Sequence, residues 1–245
     1  MWLIFLLCVS QDLTIKIDQK KRNFKLLNQN LRNKVRYILL ENPFPETLNL
    51  WQIEEYQREK LLNSLKDAKD EDYVMYSDSD EIPDPEVLKN LKLKKKFGIF
   101  LQNFHVYNLE TINDYETPWE GTRICKKKYL KSITYLRKKV KSSNLRFAFR
   151  NIFKPKSIQF FKKGGWHFNN FYTPEKISLK LKTFQHTEFG KDEYSNVDII
   201  KNKIKNFEDL FNRGHKYRKV NISEKVNFEI YNLYNKLKDI DNNEV

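Results

Sequence analysis

Apolar and polar positions alternate in a way that divides the chain into strands and helices. Met1–Val9 is apolar throughout and predicts a buried first strand, followed by a polar loop over Ser10–Lys21. Asn23–Arg32 reads as a short helix or an irregular stretch, and Lys34–Leu40 as a second strand ended by Asn42-Pro43-Phe44-Pro45. From Leu50 to Ala68 the period becomes helical. Leu61, Leu62, Leu65 and Ala68 form an apolar stripe, and Glu54 and Arg58 are placed to pair at i, i+4. Tyr73–Tyr76 predicts a buried strand that runs abruptly into Asp78-Ser79-Asp80-Glu81 and is stopped by Pro83 and Pro85. Asp84 and Pro85 suit the cap and first turn of a helix through Leu93.

Beyond this point, Phe97–Leu109 mixes apolar and polar residues in near-alternation, predicting one long or bent antiparallel strand. Trp119–Ile124 is a turn into another short strand. Leu130–Val140 predicts a helix with Ile133, Leu136 and Val140 on one face. Ser157–Phe161 predicts a strand that leads into Gly164-Gly165-Trp166-His167-Phe168. Pro174–Leu181, Val197–Phe211 and Val226–Leu237 predict helices. Strand, long helix, strand is the signature of a parallel βαβ unit. The expected class is therefore α/β, with helices on both faces of the sheet and a smaller antiparallel part.

Composition adds a charge. The chain of 245 residues carries 46 Lys and Arg against 32 Asp and Glu, a net charge of +14, which points to anionic partners. Lys94–Lys96, Lys126–Lys128 and Lys138–Lys141 carry much of it as runs suited to solvated faces. A basic nucleic-acid-binding protein is one reading of that charge, although neither a zinc-finger spacing nor an RNA-recognition aromatic signature is present. Cys8 and Cys125 alone give no disulfide framework and favour reducing surroundings. The apolar start is shorter than the roughly 20 residues of a membrane span and lacks a basic leader, so a buried strand is expected. A cytoplasmic or membrane-associated setting follows, with peripheral contact to a membrane surface compatible with the charge.

Chemistry concentrates at a few positions. Asp78 and Asp80, spaced i, i+2 at a strand's carboxyl end, are hard oxygen ligands for Mg²⁺ or Mn²⁺, or else a solvated turn. Gly164 and Gly165 allow close backbone approach. Trp166 can stack on a ring and His167 can bond a phosphate or hydroxyl, the alternative being a turn with a core Trp. His186 and Glu188 point to one side of an extended segment as a metal ligand and a general base, or His186 is a half-buried structural residue. Trp119 and Arg123 flank Gly121. Arg123 is a candidate for holding a diphosphate, or a surface residue of a turn. His105 reads as structural, and His215 as a late metal ligand or a loop residue.

Several of these motifs stand in one order. Ser77-Asp78-Ser79-Asp80-Glu81-Ile82-Pro83, Gly165-Trp166-His167-Phe168, Lys182–Phe189 with its Phe-x-His-x-Glu core, and Asp209-Leu210-Phe211-Asn212-Arg213 are similar to motifs of glycosyltransferase family 17. That is the family of β-1,4-mannosyl-glycoprotein 4-β-N-acetylglucosaminyltransferase. The resemblance spans roughly residues 10–215, and Trp51–Arg58 also fits in type. It implies a GT-A-like, Rossmann-like sheet binding a nucleotide sugar, and inverting, metal-dependent transfer of N-acetylglucosamine from UDP-GlcNAc in β-1,4 linkage to a glycan or glycoprotein, as in N-glycan processing. No nucleic-acid partner is then expected. Residues 1–95 would form the nucleotide-binding half of a single domain over 1–245, residues 96–215 the half that completes the donor and acceptor sites, and 216–245 a helical tail. Asp78, Asp80 and His186 would hold Mn²⁺ or Mg²⁺. Glu188 would be the general base, with Glu81 and Asp84 as alternatives. Gly165, Trp166, His167, Arg123 and Trp119 would line the substrate pocket. Familiar members carry an N-terminal anchor and a preceding strand and helix. The chain is thus expected to begin at the family's second strand, as a shortened relative, and a catalytically inactive sugar-nucleotide binder is the further alternative.

Overall fold

The computed structural model describes residues 3–7, 29–36, 38, 40, 45, 47–141, 157–183 and 190–243. Strand β1 (Leu3–Leu7) and a 3-10 turn over Gln29–Lys34 precede helix α1 (Leu50–Lys60), which tightens into a second 3-10 turn at Leu61–Leu65. Strands β2 (Tyr73–Ser77) and β3 (Glu81–Pro83), helix α2 (Pro85–Lys89) and the long strand β4 (Phe97–Val106) follow. Next come β5 (Thr111–Asn113), β6 (Trp119–Lys126), α3 (Ile133–Lys138), β7 (Ile158–Phe161) and β8 (Gly165–Asn169). The rest is α4 (Pro174–Thr183), α5 (Asp192–Ser195), α6 (Val197–Lys205), β9 (Tyr217–Lys219), α7 (Ile222–Lys225) and α8 (Phe228–Asn243). The protein is a mixed α/β chain with parallel and antiparallel strand pairs.

The described residues fall into two compact units. The first holds those up to Leu101, those from Glu120 to Gly165, and Thr183. The second holds Gln102–Trp119, Trp166–Lys182 and the described residues from Gly190 onward. In the first unit, β2 lies between β1, which is parallel to it, and β6, which is antiparallel. β6 neighbours β4, and the first half of β4 pairs in parallel with β7.

Side-chain alternation explains why β2 reads as a continuous apolar run. Val74 and Tyr76 join Ile99, Cys125 and the helical residues Leu61, Leu65, Ile133 and Leu136 in one cluster. Met75, Phe100 and Ile124 enter a second cluster, covered by Val87 and Leu88 of α2. Successive residues of one strand point to opposite faces, so a strand apolar at every position is buried on both. α1 is started by Asn49, whose side chain accepts from the Gln52 N–H while the Gln52 side chain accepts from the Asn49 N–H.

In the second unit, the latter half of β4 pairs in parallel with β8 and in antiparallel fashion with β5, and β5 pairs with β9. Its core gathers Phe104, Val106 and Tyr107 with Ile177 and Leu181 of α4, Ile200 of α6, and Leu210.

Several expectations change. The strand expected over Lys34–Leu40 is not formed by its described residues. Arg36 donates to the Ser64 carbonyl and pairs with Asp67, so this segment is fastened to the end of the α1 region by side chains. β4 was expected to be antiparallel, and it is so to β5, but β7 and β8 run parallel to it. The helix after Asp84 ends at Lys89, with the Asp84 side chain capping the Glu86 N–H as expected. α6 stops at Lys205, and the left-handed backbone of Phe207 and Asn212 turns the rest of the predicted helix into loop. The three-residue strands β5 and β9 are too short to show a period in the sequence.

Candidate active site

Everything at the carboxyl end of β2 follows from where that strand stops. Tyr76 is 1% exposed, and its ring lies in the core beneath the helical residues. Burial leaves its hydroxyl needing partners. Arg58 of α1 donates through Nε to the Tyr76 oxygen at 3.0 Å, and that hydroxyl donates to Asp78 Oδ1 at 2.6 Å. Arg58 also pairs with Glu54, the i, i+4 pair anticipated from the sequence. On the other side, Arg137 of α3 donates to Asp78 Oδ2 through Nε at 2.9 Å and Nη2 at 2.6 Å, and Nη2 lies 3.3 Å from Glu81 Oε1. The Glu81 N–H donates to the Asp78 carbonyl at 3.0 Å, closing the loop, and the Asp78 N–H donates to Glu81 Oε2 at 3.3 Å.

The apolar stripe of α3 sets this up. Ile133 and Leu136 are fully buried, and Ser132 caps the helix by accepting from the Tyr135 N–H. Their anchoring brings the neighbouring Arg137 to the acidic loop. Three carboxylates (Glu54, Asp78, Glu81) and two guanidiniums (Arg58, Arg137) make an alternating row with a net charge of −1. Burial raises the Asp78 carboxyl, but the charge of Arg137 and the hydrogen bonds from Tyr76 and Arg137 outweigh it and hold Asp78 below the usual carboxylate range. Burial likewise opposes the charge on Arg137, and Glu81 and Asp78 more than restore it.

A divalent cation on Asp78, Asp80 and His186 needs carboxylate oxygens turned toward it. Both oxygens of Asp78 already hold donors, from Tyr76 and Arg137, so Asp78 does not fit a direct ligand in this arrangement. Asp80 is half-buried beside it. His186 and Glu188 lie outside the described residues. Among the described residues, no three His, Cys, Asp or Glu side chains converge as ligands. Glu81 was expected as an alternative base. Its side chain is 0% exposed, and it braces the loop through Arg137.

The other expected residues divide between the two units. Gly165, in the first unit, has φ +120°, and a Cβ there would collide with the Ile82 carbonyl and the Asp84 N–H. Glycine is required because the β3 backbone passes against it. Arg123, in the same unit, is 3% exposed and donates to the carbonyls of Val140, Glu120 and Gly121. Burial and the charge of Arg137 bring its pKa down to about 10. Arg123 is thus a buried residue that secures backbone, where a surface turn residue or a diphosphate ligand was expected. In the second unit, Trp119 and His167 do come together, with ring centres 4.8 Å apart and Phe104 4.4 Å from His167. Trp166 is 4% exposed, and its Nε1 donates to the Lys225 carbonyl at 2.6 Å, so it serves the core. His215 stacks on Tyr115 with ring centres 4.7 Å apart.

Asp209-Leu210-Phe211-Asn212-Arg213 has a structural use. The buried Asp209 carboxylate accepts from the Arg213 N–H, Nε and Nη2, from the Phe211 N–H and from the Tyr217 hydroxyl. Asp209→Ala is expected to cost about 2–3 kcal/mol, the scale of hydrogen bonds to a buried charge, measured by urea unfolding. A loss within experimental error would contradict this role.

His105 is fully buried. Its Nδ1 donates to the Leu109 carbonyl at 3.0 Å, and Nε2 has no partner. Burial lowers its pKa from 6.5 to about 4. Between those values the unfolded chain binds a proton that the folded chain does not. Stability is therefore full above about pH 6.5 and falls as pH drops toward about 4, by about 3 kcal/mol at one pKa unit per 1.4 kcal/mol. Urea unfolding at a series of pH values should show that decline flattened in His105→Gln.

Arg137 is the functional candidate that motif reasoning passed over. It stands in a helix whose apolar face was legible, on a residue type suited to carboxylates. Among the described residues, no helix is long and apolar enough to cross a membrane. No family model, curated protein or solved structure matches the chain.

Proposed function

We propose that the chain is a glycosyltransferase with a GT-A-like sheet, taking a nucleotide-sugar donor at the carboxyl end of β2. The observation that carries this reading is the Asp78–Glu81 loop, held in place by Tyr76 and Arg137 at the end of a central strand that has a parallel neighbour. Ligands of open α/β sheets bind outside the carboxyl ends of strands. A loop whose charges are already ordered loses little freedom when it meets a polar ligand. The motif resemblance supports UDP-GlcNAc as donor, a glycan or glycoprotein as acceptor, and a β-1,4 product.

In the inverting transfer, the acceptor hydroxyl oxygen bonds to the anomeric carbon as the bond from that carbon to the diphosphate breaks. The hydroxyl proton passes to a carboxylate, for which Glu188 is our choice, and the diphosphate leaves with the bonding electrons. Arg137 lessens the repulsion between the acidic loop and that anion by pairing with Asp78.

The experiment is UDP release from UDP-GlcNAc against a panel of glycan acceptors, followed by product analysis. Acceptor-dependent release with a new β-1,4 linkage is the expected result. UDP binding without turnover would favour the inactive sugar-nucleotide reading, and the absence of both would overturn the proposal.

A further inference from the structure

A second charged feature lies at the opposite end of β2, within the same unit. β6 ends at Lys126, the partner of Tyr73, where β2 begins. Lys94, Lys95 and Lys96 lead into β4, and Ser157 leads into β7, with Phe97 paired to Ile158. Lys94, Lys95, Lys96, Lys126, Tyr129 and Ser157 line one recess of about 450 Å³. Its size is that of a small-ligand pocket.

The backbone that carries the lysine row is fixed in place. The Lys94 N–H donates to Gln159 Oε1 at 2.8 Å, Gln159 Nε2 donates to the Lys92 carbonyl at 2.9 Å, and the Phe97 N–H donates to the Ser157 carbonyl at 2.9 Å. Four lysines, a tyrosine and a serine therefore line the recess, and no Asp or Glu does so among the described residues. Glu71 pairs with Lys126 and Lys128, leaving Lys94, Lys95 and Lys96 without an acidic partner among the described residues. Lys66, Lys127 and Lys131 line a further recess with a single acid, Asp70.

Ammonium groups gathered in one concavity repel each other and concentrate anions. Each is a compact charge with three donors, a match for phosphate oxygens, and the Ser157 and Tyr129 hydroxyls add donors. Single-stranded nucleic acid would need an open aromatic face on which to stack. The Tyr129 ring instead carries the ammonium groups of Lys96 and Lys128 at 5.5 and 5.4 Å. We propose that this recess binds a multiply charged phosphate group, supplied by a free polyphosphate or by the headgroup of an acidic phospholipid. The site is independent of the donor site.

The test compares wild type with Lys94→Glu/Lys95→Glu/Lys96→Glu and with a control of equal charge change, Lys191→Glu/Lys205→Glu/Lys216→Glu, all at exposed positions. Circular dichroism establishes that each is folded. Tripolyphosphate titration and co-sedimentation with phosphatidylcholine vesicles, with or without phosphatidic acid, are the probes. An oligonucleotide is the third. The recess variant should lose about tenfold or more in binding and the control less than about twofold, three reversed charges being near the surface field that a polybasic segment feels. Binding to tripolyphosphate but not to vesicles identifies a free phosphate. Vesicle binding that requires phosphatidic acid identifies a headgroup. Equal losses in both variants, no binding to either phosphate probe, or recess-dependent binding to the oligonucleotide alone would each overturn the proposal.

Discussion

Arg137→Met is expected to remove about 3–5 kcal/mol of folding stability, the scale found when one member of a buried ion pair is deleted. Methionine keeps the apolar stem of the arginine, so the loss reports the guanidinium. Its removal leaves Asp78 and the wholly buried Glu81 side by side without that charge. Urea unfolding measures the loss, and the double variant Arg137→Met/Glu81→Gln should recover about 0.5–3 kcal/mol of it, since a neutral amide needs no counter-charge. The acid limb should change as well. Asp78 is held below its ordinary 3.8, so its contribution is present above that value and is lost as pH falls through the lowered one. The variant should show a shallower decline there. A loss below about 1 kcal/mol, as for an exposed ion pair, would mean that Arg137 does not organise the loop.

Glu188→Gln is expected to lower kcat for sugar transfer by about 10²–10⁴, the range for loss of a general base, with the donor KM little changed. The glutamine keeps the shape and hydrogen-bonding reach of the glutamate but cannot take the acceptor proton. Of the two alternatives to Glu188, Glu81 is buried against Arg137 and cannot meet an acceptor hydroxyl, and Asp84 caps α2 by accepting from the Glu86 N–H. Because a base acts by its protonation state, the wild-type kcat should fall on the acid side of its pH profile, and that limb should vanish in the variant. Unchanged kcat in Glu188→Gln would remove it from the mechanism. A rise in KM with constant kcat would make it a binding residue.

The sequence made β2, α1, α3 and the acidic loop legible because each carries a strong local signal. A strand buried on both faces is apolar at every position, and Ile133, Leu136 and Val140 repeat at helical spacing. Single residues were harder to read. Arg123 and Trp166 have the right chemistry for substrate, but their donors meet backbone carbonyls that only the fold brings near. Arg137 lies 59 residues from Asp78, a pairing no local pattern encodes. The glycine at 165 was recognised as a close-approach residue, yet what approaches is the β3 backbone. The parallel partners of β4 were missed because alternation fixes which face a residue joins and carries no strand direction.

Calorimetric titration of UDP into wild type and Asp80→Ala, with Mn²⁺ and again with chelator, tests the donor site most directly. Asp80 stands in the same loop, half-buried beside Asp78, and circular dichroism establishes that its variant is folded. The account predicts saturable UDP binding by wild type, weakened by about tenfold or more in Asp80→Ala, a difference of about 1.4 kcal/mol. Absence of UDP binding in the folded wild type, or equal affinity in the two proteins, would contradict it.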